Sequence, residues 1–100
     1  MNKPSIRIHY CTGCKWLTRS SWMAQELLET FSDDLASVSL CPSDQSGTFK
    51  IMVSDSPADN GSETLVWDRT VDQGFPQIKA LKKRVRDIIT PARELGHLDR

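Results

Sequence analysis

The sequence predicts an α/β domain in which two amphipathic helices cover one face of a four-stranded mixed sheet. Several short segments alternate apolar and polar residues, as strands with one wet face do. Two longer segments carry apolar residues at helical spacing. In chain order these segments give the arrangement β-α-β-β-β-α.

The first half of the chain contains three predicted elements. Alternating residues 5–10 predict a strand, and a helix is predicted from Lys15 to about Phe31. The apolar stripe of this helix is formed by Leu17, Ala24, Leu27, Leu28 and Phe31. Residues 35–41 alternate again, and we expect Pro42 to end this second strand because proline cannot donate to a ladder.

The second half contains two strands and a helix. Residues 49–53 alternate and residues 64–67 are β-prone, so a hairpin through the loop at 55–62 is the simplest connection. The last helix begins after Pro76, which suits a first turn. Its apolar stripe is Ile78, Leu81, Val85, Ile88 and Ile89.

A βα unit that leads into a parallel strand, followed by a hairpin and a closing helix, is the minimal thioredoxin-like arrangement. Because all four strands alternate, both helices are expected on one face, with the other face open. If Met52 and Val66 lie on the open face, they form a modest apolar patch suited to a homodimer or a client protein.

Length and composition exclude several classes of protein. One hundred residues with 38% hydrophobic content suit one core, so we predict a single domain over 1–91 and a C-terminal tail over 92–100. Thirteen basic and thirteen acidic side chains cancel, so no nucleic-acid partner is expected. The sequence shows neither a signal peptide nor a membrane span, so we expect a cytoplasmic protein without a membrane partner.

The most informative motif is Cys11-Thr12-Gly13-Cys14, which lies where the first strand meets the first helix. A helix N-terminus lowers the pKa of a nearby cysteine, and the thiolate is the attacking species in disulfide exchange. Two intervening residues keep the sulfurs close enough to form a disulfide. The sequence therefore predicts a redox-active pair, with Cys11 and Cys14 as its catalytic residues.

Three stretches together resemble the selenoprotein W, T and H (Rdx) family. They are Tyr10-Cys11-Thr12-Gly13-Cys14, Gly47-Thr48-Phe49-Lys50-Ile51 and Gly74-Phe75-Pro76. The chain is most similar to the bacterial, cysteine-containing branch. The resemblance implies a thioredoxin-like fold and a thiol oxidoreductase or redox-regulatory role. The selenocysteine of selenoprotein W corresponds to Cys14, which the resemblance therefore makes the nucleophile.

Thioredoxin-like enzymes in general point instead to the first cysteine, Cys11, as the nucleophile, so the sequence leaves the two roles open. A proline that faces the motif in thioredoxins is replaced here by Gly47-Thr48. Cys41, at the end of the second strand, is expected near the same sheet edge. Its alternatives are a thiol that accepts glutathione or resolves a mixed disulfide and a residue that simply packs; we favour the second and leave Cys41 outside the catalytic set.

We weigh three functions for the pair. The first is a thiol-disulfide oxidoreductase that acts on protein thiol or disulfide clients, without a cofactor and with glutathione as a candidate co-substrate. The second is a redox-sensitive interaction module without significant turnover. The third is a metal-binding adaptor, which is disfavoured because His9, Cys41 and His97 do not supply a second close pair of ligands. We therefore predict no metal site.

Overall fold

The computed structural model describes residues 3–54 and 63–91, which form a thioredoxin-like α/β fold. The strands are β1 (Ser5–Cys11), β2 (Ser37–Ser43), β3 (Phe49–Ser54) and β4 (Glu63–Asp68). The helices are α1 (Leu17–Thr30), α2 (Arg69–Asp72) and α3 (Ile78–Ile89). The predicted order is confirmed, and α2 is one additional short helix. The loop predicted at 55–62 and the tail predicted at 92–100 lie outside the described residues.

The four strands form one mixed sheet in the order β2-β1-β3-β4. Strand β1 is parallel to β2 and antiparallel to β3, and β3 is antiparallel to β4. Ile8 lies at the centre, paired with Leu40 on one side and with Ile51 on the other. This order places the carboxyl ends of β1 and β2 side by side.

The core lies between one sheet face and the helices α1 and α3. From the central strands it receives Ile6, Ile8, Tyr10, Phe49, Ile51 and Val53, and from the two long helices Met23, Ala24, Leu27, Leu81 and Val85. The other face of the sheet carries exposed side chains such as Arg7 and Lys50. The prediction that both long helices cover one face is therefore confirmed.

Two residues of the predicted α1 stripe do not face the core. Leu17 is 50% exposed and Leu28 is 41% exposed, whereas Ser20 and Met23 are buried. The buried positions of the helix are centred on one side of the predicted stripe, so Leu17 and Leu28 fall at its solvent-facing margin. The first helical turn also begins at Leu17 rather than at Lys15.

Val66 is buried, which corrects its expected place on the open face. The pairing passes from Ile51 with Trp67 to Met52 with Leu65, so Val66 is the extra residue of a β-bulge. A bulge turns two successive side chains toward the same side, and Val66 and Trp67 both join the core. Leu65, which is 46% exposed, takes the position beside Met52.

Pro42 does not end β2, which continues to Ser43. The Ser43 carbonyl accepts a hydrogen bond from Thr12 N at 3.2 Å, so Ser43 faces β1. Backbone polar groups alternate sides along a strand, and Pro42 therefore faces the outer side of this edge strand. A proline is tolerated there because no neighbouring strand needs its N–H.

Candidate functional site

The thiol motif occupies the turn that leads from β1 into α1. Cys11 is the last residue of β1, and Lys15 has a left-handed φ of 60°. This turn delays the helix, whose cap is Trp16 and whose first residue is Leu17. Cys14 therefore precedes the helix by three positions. Groups in the turn itself and in the loop facing it shift the pKa values of the two cysteines.

Backbone hydrogen bonds attach the motif to both neighbouring strands. Cys11 N donates to Thr48 O at 2.8 Å, just before β3. Thr12 N donates to Ser43 O at the end of β2, and the Thr12 hydroxyl donates to the same carbonyl at 3.3 Å. The turn is thus fixed against two segments that are distant in sequence.

Several hydrogen bonds lower the pKa of Cys11. The largest contribution comes from the Cys14 side chain, followed by a backbone hydrogen bond from Gly47, while burial opposes them. Backbone hydrogen bonds from Cys14 and Gly13 add to the effect. Donors that point at a sulfur favour its ionised form, so negative charge on the pair is stabilised at Cys11.

The same contact raises the pKa of Cys14. As donor to Cys11, the Cys14 thiol retains its proton, and burial and the charge of Cys11 also oppose its ionisation. Gly47 and the positive charge of Arg69 act in the opposite direction. The ionisation of each thiol therefore depends on that of the other, and Cys11 is the thiol more readily ionised.

The thiol with the lowered pKa is the less exposed of the two. Both are free cysteines, but Cys11 is 3% exposed, whereas Cys14 is half-buried. The thiol whose pKa is lowered is thus shielded, and the thiol whose pKa is raised is accessible.

A cluster of aromatic and basic side chains lies beside the motif. Trp16 and Phe75 meet edge to face with ring centroids 4.9 Å apart, and Phe75 meets Phe49 at the same distance. The Arg69 guanidinium lies 5.1 Å from the Trp16 ring centroid, and that of Arg19 lies 4.3 Å from the Phe75 centroid. These contacts fix the beginning of α1 and one wall of the site.

Cys41 lies in β2 near the same end of the sheet as the thiol pair, two residues before the ladder partner of Cys11. It is the ladder partner of His9, whereas Cys11 is the partner of Ser43. Strand spacing and rise place the Cα atoms of Cys41 and Cys11 about 8 Å apart. That separation exceeds the limit of about 7 Å for a disulfide without backbone movement.

A shallow groove of about 510 Å³ opens next to the motif. Its lining residues are His9, Thr12, Pro42, Ser43 and Asp44. It joins the open sheet face to the thiol turn through Thr12, and its lining is largely polar. His9 faces this open side, as its place in the strand predicts.

Two further observations concern the described residues. Across 3–54 and 63–91, His, Cys, Asp and Glu side chains form no group of three or more that could hold a metal ion. His97, one of the singletons considered above, lies outside the described part of the chain. No helix in the described ranges combines the length and apolarity needed to cross a bilayer.

Sequence reasoning missed the roles of Gly47 and Arg69. Gly47 has a left-handed φ of 81° and provides a backbone hydrogen bond to both thiols. Arg69 Nε donates to Gly47 O at 3.2 Å across 22 positions of sequence. Neither residue belongs to the motif, so only the tertiary contact reveals them. The Gly47-Thr48 segment was correctly expected to face the motif.

Fold and site together define a thioredoxin-like protein with a thiol pair at the end of its first strand. The chain belongs to the Rdx family, whose model matches residues 5–87. The family resemblance read from the three sequence stretches is thereby confirmed. Membership indicates a redox-type function, and the proximity of Cys11 and Cys14 is compatible with it.

Two crystal structures are similar over nearly their whole length. A protein from Bordetella parapertussis is 50% identical with a TM-score of 0.73, and the match covers 86% of this chain and 98% of that one. A selenoprotein W-related protein from Vibrio cholerae is 42% identical with a TM-score of 0.75, covering 88% and 99%. No curated protein matches the sequence.

Proposed function

We propose that this protein is a thiol-disulfide oxidoreductase in which Cys14 attacks and Cys11 resolves. The observation that carries the proposal is an accessible Cys14 beside a shielded Cys11, whose pKa is lowered by the Cys14 side chain and by the Gly47 backbone. A pair with one proton and one negative charge can supply a nucleophile without an external base.

Accessibility assigns the order of the two steps. Only a sulfur that a client can reach can form a mixed disulfide, and Cys14 is more exposed than Cys11. As the Cys14 sulfur attacks a client disulfide, its proton passes to the Cys11 sulfur along their hydrogen bond. A Cys14–client disulfide forms, the client S–S bond breaks, and the released client thiolate takes a proton from water.

The second step is intramolecular. Cys11 loses its proton to solvent, and its thiolate attacks the Cys14 sulfur. The Cys11–Cys14 disulfide forms while the second client thiolate leaves, so two electrons have passed from the protein to the client. An external thiol must then reduce the protein, and we propose glutathione as this co-substrate and the cytoplasm as the compartment.

The groove beside Thr12 is the surface that we propose for the client. Its polar lining suits the backbone of an extended peptide, and one of its lining residues, Thr12, belongs to the thiol motif. A protein disulfide is therefore the proposed substrate. No bound cofactor enters the two steps.

The proposal is tested by equilibrating the protein in glutathione buffers and measuring the Cys11–Cys14 disulfide by mass spectrometry. We expect a reduction potential between roughly −200 and −320 mV, the range in which cytosolic thiol pairs turn over. Thiols that stay reduced throughout, or that are protected by bound zinc, would contradict it. A reversible disulfide without turnover of any client would identify the redox-sensitive interaction module instead.

The order of attack is tested separately with two variants that each lack one cysteine of the motif. Cys11→Ser should accumulate a stable mixed disulfide on Cys14 when it is mixed with an oxidised model peptide. Cys14→Ser, the matched control, should accumulate little mixed disulfide on Cys11, because that thiol is shielded; peptide mass spectrometry separates it from any adduct on Cys41. Efficient trapping by Cys14→Ser would reverse the roles assigned to the two sulfurs.

A further inference from the structure

Arg69 is the first residue of α2, and it contacts both sides of the thiol turn. Its Nε donates to Gly47 O at 3.2 Å, and its guanidinium carbon lies 5.1 Å from the Trp16 ring centroid. A Cβ built on Gly47 would lie 3.3 Å from a terminal nitrogen of the same guanidinium. The charged group is therefore held between the loop that faces the pair and the residue that caps α1.

We propose that Arg69 is a positioning residue of the thiol pair, which holds the Gly47 turn in place and supplies positive charge beside the Cys14 sulfur during exchange. The electrostatic part of this inference rests on the proposed function, because Cys14 is taken there as the attacking thiol. The positional part rests on the contacts alone.

The charges around Cys14 support this role. The hydrogen bond to Cys11 from β1 has the largest effect on Cys14 and raises its pKa. The Gly47 backbone and the charge of Arg69 lower the pKa of Cys14. When Cys14 gives up its proton, the cation that remains close to it helps to hold the developing charge.

Arginine is suited to this place where lysine would not be. A planar guanidinium can stack on an aromatic ring and direct an N–H at a carbonyl at the same time. Arg69 makes both contacts, with Trp16 and with Gly47. Lysine would retain the charge without this fixed geometry.

The test measures the reactivity of Cys14 alone, in a Cys11→Ser background. Cys14 alkylation by iodoacetamide is followed by peptide mass spectrometry, which separates it from Cys41. Arg69→Gln removes the charge but keeps a donor for Gly47 O, and we expect about three- to tenfold slower alkylation at neutral pH, as a smaller thiolate fraction requires. Arg69→Lys keeps the charge but loses the fixed contact with Gly47 O, so we expect it to slow alkylation less than Arg69→Gln does.

Arg7→Gln is the matched control, because it removes the same charge from an exposed residue on the open face that pairs with Glu63. Equal slowing in Arg69→Gln and Arg7→Gln would overturn the proposal, as would equal slowing by Gln and Lys at position 69. If Arg69→Gln does not fold, Arg69→Met, which keeps apolar packing on Trp16, replaces it with the same expected slowing.

This measurement also separates the two proposals. Alkylation of a single thiol requires no client and no turnover. A protein that fails to reduce any disulfide can still show the Arg69 dependence, and an active oxidoreductase can lack it.

Discussion

At the scale of single residues, the interaction between the Cys11 and Cys14 side chains has the largest effect on the pKa of each thiol. The Cys14 side chain makes the largest contribution to the lowered pKa of Cys11. Removing that donor should therefore raise the pKa of Cys11. Cys14→Ala removes it, whereas Cys14→Ser keeps a hydroxyl at the same position.

We expect the Cys11 thiolate of Cys14→Ala to form at higher pH than that of Cys14→Ser. The ultraviolet absorbance of the thiolate, measured across a pH titration, checks this order. Identical titrations for the two variants would mean that the backbone donors alone hold the charge.

Gly47 is the second residue whose substitution is informative. Its φ of 81° is a conformation that L side chains rarely adopt, and its Cβ would meet the Arg69 guanidinium. Gly47→Ala should destabilise the protein by about 1–2 kcal/mol through backbone strain and slow the alkylation of both thiols.

Chemical denaturation measures the stability change of Gly47→Ala. Gly13→Ala is the control inside the motif, because Gly13 lies outside the left-handed region and has no atom within 4 Å of its Cβ position. An equal loss of stability in both variants would show that the left-handed φ of Gly47 is not the cause of the destabilisation.

At the scale of elements, the short helix α2 depends on Asp72. Its carboxylate accepts a hydrogen bond from Asp68 N at 3.0 Å and one from Arg84 at 3.1 Å. The Asp68 backbone bond and then Arg84 lower the pKa of Asp72. These contacts connect α2, which carries Arg69, to α3.

The lowered pKa predicts how stability depends on pH. A carboxyl with a lower pKa in the folded state adds stability that is complete above its unfolded pKa, about 3.9, and that is lost as pH falls through the folded value. Asp72→Asn should therefore lower the denaturation midpoint at neutral pH, with the difference disappearing in acid. Asp87→Asn, which removes an exposed carboxylate on α3, should change the midpoint less. A deficit of Asp72→Asn that persists in acid would contradict this origin.

The sequence predicts the elements whose apolar residues follow a single clear period, either the alternation of a strand or the spacing of a helix. Alternation placed all four strands, and the stripe through Leu81 and Val85 placed α3 correctly. The bulge at Val66 escaped prediction because it depends on the pairing of β4 with β3. The short helix α2 escaped it because four residues are too few to show a helical periodicity, although its Asp68 cap is local. The Cys11–Cys14 pair was recognisable from its spacing, but Gly47 and Arg69 come from other parts of the chain.

At the scale of the whole molecule, the described residues 3–54 and 63–91 share one hydrophobic core, so the site and the fold should unfold together. Leu27 is completely buried in that core, whereas its neighbour Leu28 is 41% exposed. Leu27→Ala should cost about 2–5 kcal/mol of unfolding free energy, and Leu28→Ala should cost no more than about 0.5 kcal/mol.

Circular dichroism and alkylation of the shielded Cys11 provide two readouts of the same denaturation. In each variant their midpoints should coincide, because a single core of this size unfolds cooperatively. Exposure of Cys11 well before loss of the helical signal would show that the thiol turn opens independently of the core.

The proline in β2 also affects how copies of this chain meet one another. β2 is an edge strand of seven residues without a charged side chain, and such edges invite pairing with a strand from another molecule. Because Pro42 faces outward, an incoming strand finds no N–H donor at that position. The end of β2 nearest the thiol motif is thereby a poorer template for pairing between copies of the chain than an edge with every N–H available.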